Sequence, residues 1–245
     1  MFAQSAPGEC APHVVATARI VDLLAIGKRA DPRVPLLIRG EPGVGKDTLA
    51  RRIHDASARG SQPFIKVNCA AQPTDRHETE LFGHEKESAP LVSRRRPGSF
   101  EFANRGTLYL DEIGALPRAL VPKLVDVLRT GAVSRMGDPR TIGVDVRLIA
   151  STVHGAAPHD DVLWSGLHRL NAIELWIPPL RERPDEIPVL ASFFLEQLNR
   201  RYRRNVQLCP DVLAAFQSHP WPGNIRQLAE AVHRLVVGGA PASVH

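Results

Sequence analysis

No run of apolar residues in this chain of 245 residues approaches the ~20 needed to cross a bilayer. The amino terminus, MFAQSAPGEC, also lacks the charged-then-apolar order of a secretory signal, so the expected location is cytoplasmic. Cysteine is scarce: Cys10, Cys69 and Cys209 are the three present. Odd in number and far apart, they argue against a disulfide framework and for a reducing compartment. None has a C-x-x-C partner, so no cysteine-based metal site is expected. Repeats and long low-complexity tracts are missing as well. Neither sign of charge dominates: 31 Lys and Arg stand against 26 Asp and Glu, a net charge of +5. That mild excess suits anionic ligands without requiring nucleic acid.

What is present is enough apolar sequence, 43%, to bury a core in one large domain or in a core with a smaller companion. ATARIVDLLAIGKRA, residues 16–30, places Ile20, Leu23, Leu24 and Ile26 on roughly one helical face and breaks at Asp31-Pro32. VPLLIRG reads as a short buried strand and DTLARRIHDAS as the helix after it. FIKVNC, GTLYLDEIG and DVRLIAST are further strands, and PRALVPKLVDVLRTG is a helix preceding the last of them. Strands alternating with helices indicate an α/β domain with a mainly parallel sheet. After PPLRERPDEIP the pattern is helical throughout, which puts a boundary near residues 178–180 and a small helical domain beyond it.

The junction of the first strand and its helix is RGEPGVGKDTLARRIH, residues 39–54. From Gly40 to Lys46 it has the spacing G-x-x-x-x-G-K of a phosphate-binding loop, with Asp47 where the general pattern has Ser or Thr. Gly40, Gly43 and Gly45 let the backbone turn several N–H groups inward, and the helix starting near Lys46 offers its positive end to phosphate. Lys46 is then placed to reach the β- and γ-phosphates. In LYLDEIG an apolar strand delivers Asp111 and Glu112 at its carboxyl end, where ligands bind in open α/β sheets. Asp111 is expected to hold Mg²⁺, directly or through water, and Glu112 to orient and deprotonate an attacking water. Two acids after a strand also make an ordinary turn; the pairing with the glycine loop favours the site.

Taken together, LLIRGEPGVGKDTLARRIHDASARGSQPFIKVNCAA, ELFGHEK, PGSFEFANRGTLYLDEIGALP, PPLRERPDEIP and HPWPGNIRQLAEAV resemble the AAA+ central domain of bacterial enhancer-binding proteins. Those are ATPases that remodel RNA polymerase carrying sigma-54. The resemblance covers nearly the whole chain. It implies a P-loop NTPase (AAA+) core with a parallel sheet over residues 1–179, a helical lid over 180–240 and a tail over 241–245. It implies ATP and Mg²⁺ as ligands, with nucleotide contacts along Gly40, Glu41, Pro42, Gly43, Val44, Gly45, Lys46, Asp47 and Thr48. The family has Glu after the loop lysine, so Asp47 is a shortened form of that residue. Asn68 matches the residue that restrains the Walker B glutamate, Arg226 the sensor II arginine, and Arg169 one of two arginine fingers inserted into a neighbouring subunit. That last match implies a ring of identical chains, usually a hexamer. RNA polymerase or another transcription component is the implied partner, with DNA read by a domain absent from this chain.

Three departures stand against the resemblance. Where the family has GAFTGA after GHEK, residues 87–92 read ESAPLV, with Ala89 and Pro90 in place of the Phe-Thr pair that touches the sigma factor. Counting back from Arg169, the second finger position holds Leu163. After Thr152, the sensor I strand carries Val153 in place of Asn. Loss of one transition-state arginine can cost on the order of 10³ in rate. The expectation is ATP binding with weak hydrolysis and no ordinary sigma-54 contact; the alternatives are a competent ATPase and a module responding to a cyclic dinucleotide at Arg51 and Arg52. Arg94, Arg95 and Arg96 form the densest basic cluster, a solvated loop arm or an anion contact.

Overall fold

The computed structural model describes residues 18–71, 73–85, 95–153 and 162–238. In chain order the elements are α1 (Ala18–Arg29), β1 (Leu36–Arg39), α2 (Lys46–Asp55), β2 (Phe64–Asn68), α3 (His77–Phe82), β3 (Gly83–His84), β4 (Arg96–Pro97) and α4 (Ser99–Phe102). There follow β5 (Thr107–Asp111), α5 (Val121–Thr130), β6 (Ala132–Ser134), β7 (Thr141–Gly143), β8 (Arg147–Thr152), α6 (Val162–Arg169), β9 (Ile173–Trp176), α7 (Ile187–Tyr202), α8 (Pro210–Ser218) and α9 (Asn224–Gly238). The described residues form two compact units, one from Asp22 to Pro179 and one that runs from Leu180 and takes in the residues up to Val21.

The first unit is built on a five-stranded sheet in the order β2-β5-β8-β1-β9. Every neighbouring pair in it is parallel, so the α/β parallel-sheet expectation holds. Parallel sheets are covered on both faces, and the strands accordingly read as nearly continuous apolar runs. Alternate residues divide between the faces. Leu37, Leu108, Leu110, Leu148 and Ala150 join one core with Phe82, Phe100, Leu124 and Val127 from α3, α4 and α5. Leu36, Ile38, Tyr109 and Ile149 occupy the intervening positions and are also buried. There α2, which carries buried Leu49, Ala50 and Ile53, lies against β1, β5 and β8.

The first helix needs a correction. Ile20, Leu23 and Leu24 are half-buried, but Ile26 is 46% exposed. The inward face runs through positions 20, 23, 24 and 27, the i, i+3, i+4, i+7 stripe, and residue 26 lies off it. Gly27 takes the inner place, where a Cβ would meet Ile53 Cδ1 at 2.6 Å. Strand β9 lies beside β1, with Leu36 opposite Ile173; no strand was expected there. Its four residues alternate only weakly in burial, and Pro178-Pro179 follow close behind, so its sequence carries little periodic signal.

In the second unit α7, α8 and α9 enclose Leu190, Ala191, Phe216, Trp221, Leu228 and Val232. Leu228, Val232 and Val236 repeat every four residues along α9 and are all fully buried. Trp221 spends its indole N–H on the Phe216 carbonyl at 2.6 Å, and the Asn224 side chain accepts the Leu180 N–H at 2.7 Å. These bonds satisfy polar groups that burial would otherwise penalise.

Candidate functional site

Strand β1 runs into the glycine loop, and β5 ends on Asp111 one strand away across β8. Both motifs therefore emerge at the carboxyl edge of the same sheet. The loop's turn depends on glycine at two places, Gly43 with φ of 78° and Gly45 with φ of 104°, a region that L side chains enter at a cost. Gly45 sits directly before α2. Val44 is buried beneath the loop, while Pro42, Asp47 and Thr48 are exposed and Glu41 is half-buried.

Lys46 turns inward and is only 7% exposed. Its ammonium donates to the carbonyls of Gly40 at 3.0 Å and Glu41 at 3.5 Å, and it lies 3.1 Å from Glu112 Oε1. Glu112 has φ of 54°, which brings it off the strand end. Its Oε2 accepts the Val153 N–H at 3.1 Å, and its own N–H donates to Ser151 Oγ at 3.2 Å. The Val153 contact is made by backbone, so it survives the loss of the sensor I side chain.

Asp111 accepts from Ser151 Oγ at 2.7 Å and lies 3.1 Å from Lys66 Nζ. Burial works to raise its pKa, but hydrogen bonds from Ser151 and Lys66 outweigh it and hold the carboxyl below the usual range. The Tyr109 hydroxyl donates to Asp47 at 2.7 Å and is also 3.2 Å from Asp111 and 3.0 Å from Ser151. Burial pushes that phenol upward, so it stays a neutral donor. Asp47 is paired with Lys66 as well. Lys66, Tyr109 and Ser151 are thus parts of the site that sequence reading missed. Tyr109 and Ser151 sit inside apolar strands, and only the period-2 alternation that sets Tyr109 on the face opposite Leu108 and Leu110 could have signalled them.

Asn68 is the in-register neighbour of Asp111. Its side chain accepts the N–H groups of Ala70 at 3.0 Å and Ala71 at 3.1 Å, an Asx-type turn. Glu112 is held by Lys46 and Val153, not by Asn68. Arg169 ends α6 exposed. Leu163, at the other finger position, is 2% exposed within the sheet core. Arg226 is exposed on α9 and lines a groove of about 530 Å³ with Phe194, Leu198 and His233. Arg51 lies over the Phe64 ring at 4.7 Å. Arg95 and Arg96 lie near Glu85 at 3.5 Å and Glu80 at 3.3 Å. The segment ESAPLV and Arg94 fall outside the described residues.

Among the described residues no group of three His, Cys, Asp or Glu is arranged to hold a metal ion, and no helix is long and apolar enough to cross a membrane. Asp47 and Asp111 do direct carboxylate oxygens at one point, the Lys66 ammonium. Carboxylate oxygens fit a hard divalent cation such as Mg²⁺.

A parallel sheet, a glycine loop with an inward lysine and an acid pair on a neighbouring strand end, followed by a helical unit, define an AAA+ nucleotide-binding architecture. Residues 15–169 match the family described as the sigma-54 interaction domain, and residues 181–243 match the AAA+ ATPase lid domain. The chain belongs to this family. It is 43% identical over 208 residues to the anaerobic nitric oxide reductase transcription regulator NorR of Salmonella dublin, a match spanning 82% of this chain and 41% of that protein. To the DNA-binding transcriptional activator HyfR of Escherichia coli it is 42% identical over 221 residues, 89% of this chain and 32% of the relative. The chain therefore spans less than half the length of these relatives. Among solved structures, NtrX from Brucella abortus in complex with ATP superposes with a TM-score of 0.80 at 33% identity, covering 97% of this chain and 55% of that one.

Proposed function

We propose that this chain is the ATP-binding engine of a sigma-54-type transcription regulator, one that hydrolyses ATP weakly and does not grip sigma-54 through the usual loop. The observation that carries this reading is the meeting of Lys46 with Glu112 beside Asp111 at the carboxyl edge of the sheet. The similarity to NtrX, solved with ATP, supports the choice of nucleotide.

The loop from Gly40 to Thr48 receives the phosphates, and Lys46 exchanges its contacts with the Gly40 and Glu41 carbonyls for phosphate oxygens. Asp111, with Asp47 beside it, would hold Mg²⁺, which when bound supplies positive charge next to the phosphates. Released from Lys46, Glu112 is the base that orients water; Asn68, whose side chain caps its own turn in this structure, is assigned by the family match to restrain Glu112 in another nucleotide state. Arg226 is assigned to the phosphates from the lid and Arg169 to the neighbouring subunit's site in a ring, usually hexameric. Weak turnover follows from Leu163: a buried leucine offers no charge to a transition state that a second arginine would stabilise. Sigma-54 independence rests on ESAPLV in place of GAFTGA. A transcription component, RNA polymerase among them, is the intended partner.

Phosphate release from concentrated protein with Mg²⁺-ATP tests the reading. ATP binding by calorimetry with slow turnover supports it. Rapid turnover that disappears in Glu112→Gln overturns the weak-hydrolysis half, and a stable complex with sigma-54 in the presence of a transition-state analogue overturns the other.

A further inference from the structure

Lys66 lies within the strand sequence FIKVNC and was given no role there, yet its ammonium is drawn to both Asp47 and Asp111. It springs from β2, the edge strand, at the register position opposite Tyr109. Its Nζ pairs with Asp47 Oδ2, lies 3.1 Å from Asp111 Oδ2 and sits 5.5 Å from the centre of the Tyr109 ring. The far oxygens are already engaged: Asp111 Oδ1 takes Ser151 and Asp47 Oδ1 takes Tyr109. The two Oδ2 atoms are thus left for a single cation, and the chain supplies that cation itself. Burial works against the ammonium, but the two carboxylates outweigh it and keep Lys66 charged.

We propose that Lys66 is a built-in counter-cation that competes with divalent metal for Asp47 and Asp111, and so sets how strongly nucleotide binding depends on that metal. This rests on the nucleotide site proposed above. A divalent ion must displace Lys66 from at least one carboxylate, and the freed ammonium remains close enough to face phosphate. Three consequences follow: weak metal binding by the free protein, a modest metal requirement for nucleotide, and a large gain in metal affinity when Lys66 is removed.

The test uses Mn²⁺ alone, followed by electron paramagnetic resonance of the free aquo ion, with no nucleotide present. Lys66→Met and Lys66→Gln should each bind Mn²⁺ at least about ten-fold more tightly than the unaltered protein, since like charges left unpaired attract a new cation. Lys66→Arg should stay near the unaltered value, and Lys66→Met combined with Asp47→Asn should lose the gain. In titrations with a fluorescent ATP analogue, the ratio of affinities with and without Mg²⁺ should widen in Lys66→Met by a similar factor. Two substitutions are used because either alone can disturb folding, which circular dichroism checks. No gain in Mn²⁺ affinity in either folded variant overturns the inference. Failure of the unaltered protein to bind ATP removes the proposed function and leaves the Mn²⁺ comparison standing; ATP binding without the Mn²⁺ gain removes this inference alone.

Discussion

The Lys46 ammonium stands 3.1 Å from Glu112 Oε1, so the loop cation and the strand-end acid neutralise each other across β8. On the function proposed, a polyphosphate entering the loop takes the lysine for itself and sets the carboxylate free. Lys46→Ala should then weaken ATP binding roughly 100-fold, the loss of two charge-assisted hydrogen bonds at about 1.5 kcal/mol each. Glu112→Gln should leave affinity within about threefold, because an amide still fits the pocket and the lysine loses only a competitor. Titration with a fluorescent ATP analogue checks both, and equal affinity in Lys46→Ala refutes the site.

How far the sequence spoke for itself differs between the two halves of this pair. Gly43, Gly45 and Lys46 announce their conformation, since backbone turns of this kind need glycine and the lysine follows at fixed spacing. Strands β1, β5 and β8 were legible as apolar runs bounded by turn residues. Three things were not. Lys66, Tyr109 and Ser151 meet through sheet pairing, a long-range property; local alternation sets the face each occupies but not its neighbours on the next strand. Strand β9 is held by its pairing with β1 more than by its own composition. The close approach of Ile53 to Gly27 in α1 is a tertiary contact that periodicity alone does not reveal.

Gly106 precedes β5, and a Cβ there would stand 2.0 Å from the Pro63 carbonyl oxygen. That neighbour is backbone, and the same carbonyl accepts the Thr107 N–H at 2.9 Å. The start of β5 cannot give way without loosening its pairing with β2. Gly106→Ala should therefore cost about 3 kcal/mol, read as a lower urea midpoint with unchanged slope. A neutral result would mean that the two strands do not approach as closely as described.

Leu163 tests whether the second finger position has become part of the core. It is 2% exposed among Trp164, Leu167 and Leu124, so Leu163→Ala should cost about 3 kcal/mol through lost burial and a residual cavity. Leu163→Arg should be worse, since it puts an unpaired guanidinium in an apolar core. Thermal melts decide it. A soluble Leu163→Arg protein with unaltered stability and faster ATP turnover would show that the position still faces a neighbouring site.

Arg135 joins Glu101, through its Nε at 2.8 Å and a second guanidinium contact, to Glu85 at 2.6 Å. The two acids lie on either side of the segment that contains ESAPLV, so one buried guanidinium holds both of its stems. Burial works to raise the Glu101 pKa, but the Arg135 hydrogen bonds outweigh it and hold the carboxyl below its ordinary value. A carboxylate depressed in the folded state binds fewer protons there than when unfolded. Its contribution is complete above the unfolded value, about 4.3, and is lost as pH falls from there through the lower folded value. Arg135→Met should destabilise the protein by about 3 kcal/mol at pH 7, because the half-buried Glu101 carboxylate loses the guanidinium that meets both of its oxygens. As pH falls and the Glu101 carboxylate protonates, its pairing with Arg135 is lost, so the difference from the unaltered protein should shrink. Urea midpoints at pH 7, 4.5 and 3.5 measure this, and a gap that stays constant across that range would show that the ion pair does not stabilise the stems.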